Sequence, residues 1–398
     1  MKKKILITMT YMHIGGGERS LLGLLHSFDY SKYDVDLFIF SHEGDFMNQI
    51  PKEVNLLPEN EKYKTLCQSL KELKSSKRFF WYVLKYIAVL TAIIRFKISK
   101  IKSHEYGITQ YVESFIVPFL PKINDKRYDI ALSFMNYHSI IKEKVNAKIR
   151  CGWFHTDFSV VRGFIKKSSK NWDKMDYIVN VSEEANNTFI KYHPNLRNKC
   201  IVIENILSDK FVRSQAEESI SDLNYAPNDI NILTIGRYSY PKAYDRAIRV
   251  YIQLKKKYNN IKWYIIGCGE EQNMITNMIK DNHLENDFID LGKKINPYPY
   301  YKMCDIYAQP SNFEGKSVTV REAQMIGKPI VITNYTTASS QIDNGIDGII
   351  CEMSDEGVVE AISKLIENKQ LRETLSKNCL NSNYGNENEI EKIYSLIN

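Results

Sequence analysis

No two cysteines in these 398 residues stand at C-x-x-C spacing. The seven that occur (Cys67, Cys151, Cys200, Cys268, Cys304, Cys351 and Cys379) are odd in number and dispersed. That excludes a disulfide framework or a zinc site as the organising device and points to reduced thiols in the cytoplasm. No repeat of short period and no low-complexity tract is present. An apolar run of the roughly 20 residues that a spanning helix needs is also missing. The nearest stretch, Phe79–Ile94, has sixteen residues and is interrupted by Lys85. After Lys2-Lys3-Lys4 the apolar stretch Ile5–Met9 is too short for a secretory leader, and His13 with a glycine cluster stands where cleavage would occur. It reads as a first buried strand. Basic excess is absent except in one place. The net charge is +7, and Lys71–His104 alone holds nine Lys/Arg against Glu72, a balance of +8. The remainder is close to neutral, which excludes a general affinity for nucleic acid.

What is present is alternation. With 43% hydrophobic and 25% charged residues, the chain is a folded one, long enough for two ordinary domains. Apolar runs at 4–8, 35–40, 129–134, 150–155, 177–181 and 200–203 alternate with helical patterns, the order of a parallel sheet. A polar stretch, 204–229, interrupts it. The alternation then restarts with strands expected at 230–235, 263–266, 288–291, 306–309 and 330–333. The expected fold is α/β, two doubly wound Rossmann-like domains facing across a cleft. The expected bounds are 1–205 for an acceptor domain, 206–380 for a donor domain, and 381–398 for a helix crossing back to the first. Its apolar face would be Ile390, Ile393, Tyr394 and Ile397. Within the first domain, Phe79–Ile94 crowds its aromatics at one end and is flanked by cations, as an amphipathic helix in a headgroup layer would be. A buried helix with solvated basic ends is the plainer reading.

The segment Ser311–Ala323 carries the most chemistry. Glu314 lies in a polar, glycine-containing turn, and Glu322 lies eight residues on, inside a short helical pattern. A turn that opens a helix offers free N–H groups and a positive dipole end, hence an anion site. Two carboxylates cannot bind that anion, so they suit neutral hydroxyls on either side of it. Hydroxyls, a diphosphate, then more hydroxyls describe a nucleotide sugar.

Glu314-x7-Glu322, Gly236-Arg237 with Lys242 after a strand, and Gly15-Gly16-Gly17-Glu18-Arg19 after the first strand occur in one order. Together they resemble the retaining glycosyltransferases of family 4, which have the GT-B fold, and look closest to bacterial enzymes of capsular, exo- and lipopolysaccharide synthesis. The resemblance implies catalytic roles for Arg237 and Lys242, two cations that stabilise charge growing on a diphosphate leaving group. It implies a metal-independent reaction with no cofactor. Glu314 would contact the donor sugar and Glu322 the ribose hydroxyls. Gly315, Lys316, Ser317 and Val318 would cradle phosphate through their amides. Gly292 would pass the base, and Gly15, Gly16 and Gly17 would approach phosphate or acceptor. His155, at a strand end of the first domain, would lie against the donor sugar. Each has a plainer reading taken alone: a solvated lysine, a surface acid, a core histidine, a tight turn. This chain departs from the family pattern at Ala243, at Lys316-Ser317 and at Thr336–Gln341.

The expectation is a hexosyltransferase-type enzyme. It would move a sugar from a nucleotide diphosphate sugar, UDP-sugar favoured and GDP-sugar possible, to a saccharide acceptor. The acceptor would be lipid-linked, at the anionic inner face of the cytoplasmic membrane, with no nucleic-acid partner. A nucleotide-sugar epimerase of the same fold and a non-catalytic glycosyltransferase-like partner are the alternatives.

Overall fold

The computed structural model describes residues 2–76, 78–100, 105–155, 158, 164–220, 223, 229–314 and 317–397. The chain divides into two compact units, one of residues 1–207 with 386–398 and one of residues 208–385.

The first unit is built on seven parallel strands: β1 (Lys3–Met9), β2 (Tyr33–Ile39), β3 (Asn55–Leu56), β4 (Arg127–Ser133), β5 (Asn146–Phe154), β6 (Tyr177–Asn180) and β7 (Cys200–Val202). Their spatial order is β3-β2-β1-β4-β5-β6-β7. Side chains alternate across the sheet, as the two-residue strand period requires. Ile5, Ile7 and Met9 enter one core, and Leu6 enters the other. Burial on both faces explains why these strands read as continuous apolar runs. The helices are α1 (Gly16–Ser27), α2 (Glu61–Cys67), α3 (Leu70–Ser75), α4 (Phe79–Ser99), α5 (Glu105–Ile116), α6 (Ser139–Glu143), α7 (Ile165–Trp172) and α8 (Glu183–Tyr192).

The second unit has six parallel strands: β8 (Ile230–Ile235), β9 (Ile261–Ile266), β10 (Phe288–Asp290), β11 (Ile306–Gln309), β12 (Ile330–Thr333) and β13 (Ile349–Cys351). They lie in the order β10-β9-β8-β11-β12-β13. Its helices are α9 (Asp209–Gln215), α10 (Tyr244–Lys255), α11 (Gln272–Asp281), α12 (Tyr298–Met303), α13 (Val318–Met325), α14 (Asp355–Glu367) and α15 (Lys369–Asn381). A last helix, α16 (Ile390–Ile397), belongs to the first unit. Ile390, Ile393, Tyr394 and Ile397 enter the core beneath β1 and β2. The Tyr394 ring stacks on Tyr33 at 4.1 Å, and its hydroxyl accepts the Asp29 N–H at 2.8 Å.

The apolar insertion is a single 21-residue helix, α4, longer than the apolar run 79–94 and, by length and composition, long and apolar enough to cross a membrane. Lys85 does not break it, because the side chain turns inward. Its ammonium donates to the carbonyls of Thr65, Leu66 and Gln68, closing the C-terminal end of α2. Burial there lowers its pKa to about 8.

Candidate functional site

In both sheets the strand order reverses beside the first strand, between β1 and β4 and between β8 and β11. Open α/β sheets place ligands outside the carboxyl ends of the strands at such a reversal. The residues singled out from the sequence lie at these ends.

In the second unit, Gly236–Ala243 follows β8 and the segment from Pro310 follows β11. The two loops are tied together. Asn312 N–H donates to Pro241 O at 2.8 Å, and the Asn312 amide to Tyr240 O at 2.9 Å. Arg246 holds Pro310 O at 2.9 Å and Asn312 Oδ1 at 2.8 Å. Across this seam Lys242 Nζ meets Glu314 Oε1 at 2.6 Å. The same oxygen accepts from Ser311 Oγ at 2.7 Å and Gln309 Nε2 at 3.2 Å. A fixed, half-dry ammonium is what a growing negative charge requires, because little reorganisation remains to be done. Gly236 serves this placement: a β-carbon there would lie 3.1 Å from Lys242 Cε. Arg237 is exposed, and its guanidinium has no partner among the described residues. Ala243, where the family favours glycine, has φ +51° and ψ +52°. That left-handed conformation explains the family's preference and leaves strain in this chain.

Ser317 precedes α13, whose first residue is Val318, and its side chain does not cap the helix. Gln341 instead clamps Ser317, accepting its N–H at 3.0 Å and donating to its carbonyl at 2.5 Å. Thr337 Oγ1 donates to Glu314 O at 3.0 Å. The divergent loop Thr336–Gln341 thus shapes the turn. Gly315 and Lys316 lie outside the described residues. Gly292, at φ +65°, has open space where a β-carbon would stand, so the backbone angle is what asks for glycine.

Glu322 differs from its expected setting. It has no exposed surface, and its two oxygens accept from Tyr298 and Tyr301 hydroxyls, each at 3.0 Å. Here Glu322 joins α12 to α13.

In the first unit, the three glycines separate into two kinds. A β-carbon on Gly15 would lie 2.3 Å from Glu18 Oε2, and one on Gly17 would lie 2.4 Å from Met135 Sδ. Both neighbours are the far ends of flexible side chains, which would have to swing aside for a larger residue. Only Gly16 is exposed with open space. The Glu18 carboxylate beside Gly15 weighs against a phosphate there. His155 follows β5 and shares Nε2 with Phe134 O at 2.8 Å. Burial lowers its pKa to about 4, so it is neutral near pH 7, with Nε2–H donating and Nδ1 without a hydrogen-bond donor among the described residues.

Near it lies a polar cluster that motif spacing did not reveal. His138 is buried at hydrogen-bonding distance from Ser133 Oγ, 2.9 Å, and its ring is 4.3 Å from that of Trp172. Burial, with His155 adding to it, lowers its pKa to about 3. Glu113 accepts Ser139 N–H at 2.7 Å and Asn171 Nδ2 at 2.9 Å, while Gln110 Nε2 has no hydrogen-bond partner among the described residues. The i, i+3 spacing of Gln110 and Glu113 on an otherwise apolar segment was the available signal.

A larger cavity, about 460 Å³, opens at the opposite edge of the first sheet, lined by Lys4, Asp34, Asp36 and Lys126. Its charges are already answered: Asp36 takes Lys126, Tyr128 and Asn55. Among the described residues no group of three or more His, Cys, Asp or Glu is placed to hold a metal ion.

Residues 215–381 match the family model described as Glycosyl transferases group 1. This segment, less than half of the chain, is what is similar to the group 1 glycosyl transferases. It is 30% identical to an uncharacterized glycosyltransferase of Haemophilus influenzae over 170 residues, covering 42% of this chain and 48% of that protein. It is 27% identical over 176 residues to N-acetylgalactosamine-N,N'-diacetylbacillosaminyl-diphospho-undecaprenol 4-alpha-N-acetylgalactosaminyltransferase of Campylobacter jejuni, covering 44% and 46%. The chain spans about half the length of the curated relatives it matches. Among solved structures, Anabaena HepE in complex with UDP and glucose superposes with a TM-score of 0.63 at 16% identity, covering 99% of each chain. At that identity the likeness is one of fold, and this chain has the GT-B fold.

Proposed function

We propose that this protein is a retaining glycosyltransferase. It moves a sugar from a nucleotide diphosphate sugar, a UDP-sugar in the first instance, to a hydroxyl of a lipid-linked saccharide in bacterial surface polysaccharide synthesis. The observation that carries the reading is the Lys242–Glu314 pair, held at the reversal between β8 and β11, with Arg237 exposed in the same loop as Lys242. In this reading Arg237 and Lys242 take up the charge of the departing diphosphate, and Glu314 moves from Lys242 to the donor's hydroxyls. His155, neutral, accepts a sugar hydroxyl at Nδ1. Attack comes from the face the leaving group vacates, and the departing phosphate takes the acceptor proton. No protein nucleophile and no metal is assigned a step.

UDP in the HepE complex supports the choice of base, and the diphospho-undecaprenol in the Campylobacter relative's name supports a lipid-linked acceptor. Such an acceptor would place the protein peripherally at the inner face of the cytoplasmic membrane. A panel of nucleotide sugars with lipid-linked acceptors, read by mass spectrometry, tests this. The expected result is glycosylated acceptor and free nucleotide diphosphate in equal amounts, with the anomeric configuration of the donor. Donor conversion without acceptor would make it an epimerase, and binding without turnover a non-catalytic partner.

A further inference from the structure

One face of α4 is apolar and bare. Phe79, Phe80, Ile87, Leu90, Ile94 and Ile98 are 42–74% exposed and recur at three- and four-residue steps, one stripe along the helix. The opposite face carries Ala88, Ala92 and Phe96, at most 3% exposed, together with the inward Lys85. The stripe continues past the helix: the exposed Phe119 meets Phe80 edge to face at 5.6 Å. A soluble monomer rarely leaves so much contiguous apolar surface uncovered.

Charge decides what covers it. The segment Phe79–Ser99 contains no acid. Lys71, Lys74, Arg95, Lys97 and Lys100, around its two ends, are exposed and have no carboxylate partner among the described residues. A second copy docked by a two-fold axis would set these cations against one another. A spanning helix is excluded by the inner face. Withdrawing α4 into a bilayer would strip Lys85 from the α2 carbonyls and open the contacts with α3 and α5. We infer that α4 lies in the plane of an anionic lipid surface, with the Phe79–Ile98 stripe among the acyl chains and the cations at the headgroups. Aromatic residues gathered at one end, Phe79, Phe80, Trp81 and Tyr82, suit the interface. This deepens the proposed function by naming the surface the enzyme works on.

Flotation of the full chain, without donor or acceptor, tests it, so failure here leaves the transfer reaction standing and the reverse also holds. The vesicles are phosphatidylcholine alone and an equimolar mixture with phosphatidylglycerol. Expected are strong flotation with the anionic vesicles, loss of it at high salt, and little with the neutral ones. Replacing Arg95, Lys97 and Lys100 with Gln should weaken binding roughly a hundredfold, about fivefold for each cation. The triple variant Ile87→Ser, Leu90→Ser, Ile94→Ser, all on the bare face, should abolish it while keeping the melting temperature. Equal flotation of wild type and both variants, or none by any, overturns the inference. So does a wild-type dimer in lipid-free sedimentation that the serine variant loses.

Discussion

At the reversal in the second unit, two loops meet through charge: Lys242 and Glu314 pair across the seam, and Arg237 lies exposed in the loop that carries Lys242. At the reversal in the first unit, the loops after β1, β4 and β5 bring one open glycine, Gly16, and two histidines that burial keeps neutral. The same topology thus offers one end suited to a charged leaving group and another suited to uncharged hydroxyls. The difference comes entirely from loop residues, since both sheets are parallel and wound alike. A transfer reaction needs both, because charge develops on the donor while the acceptor is recognised by hydroxyl groups.

The largest expected effects test the charged end. Arg237→Ala and Lys242→Ala should each lower kcat by roughly 100- to 1000-fold, the range seen when one transition-state partner is removed. Arg237 is exposed, so its variant should melt as wild type does. If both variants keep kcat within a few-fold, the contrast between the two ends is lost.

Glu322 sharpens the contrast next. Glu322→Ala removes one acceptor from each of two tyrosine hydroxyls, Tyr301 keeping Thr319 O at 3.1 Å, and the second unit should lose about 2 kcal/mol in urea denaturation. Glu322→Gln should recover most of it. An unchanged urea midpoint with only a raised donor KM would instead return Glu322 to the ribose.

Acid should separate the units. Burial lowers the pKa of His138 to about 3 and those of His155 and His193 to about 4, all in the first unit. The second unit's only histidine is His283. The unfolded chain takes up these protons near pH 6.5, while the folded unit resists until pH 4 or below. The first unit's stability should therefore be level above pH 6.5 and fall as pH drops toward 4. Thermal melts followed at Trp153, and separately at Trp263, would show it, and parallel decline of both signals would contradict it. The smallest effect is Ala243→Gly, which removes a left-handed alanine and should raise stability by about 1 kcal/mol.

Much of this was legible in the sequence. The long strands announced themselves as apolar runs, and Glu314, Lys242 and Arg237 by their spacing. Strands β3 and β13 are two and three residues long and too short to show a period. For Glu322, spacing shows a residue's place along a helix but not what covers it; its tyrosine partners lie 21 and 24 residues earlier. For Lys85, hydropathy shows a lone charge within an apolar helix but not its use as the cap of another helix. His138 had no motif to mark it, and its setting depends on Trp172 in a different element.

The docking of α16 has a consequence for how the protein is made. Ile390, Ile393, Tyr394 and Ile397 complete the core beneath β1 and β2, yet they leave the ribosome after the whole second unit. The second unit is continuous in sequence and has all its parts as it emerges. The first unit, synthesised earlier, keeps part of its apolar core open through that interval, when exposed surface invites aggregation. Chaperone demand during synthesis should therefore fall on the half of the molecule that is made first and finished last.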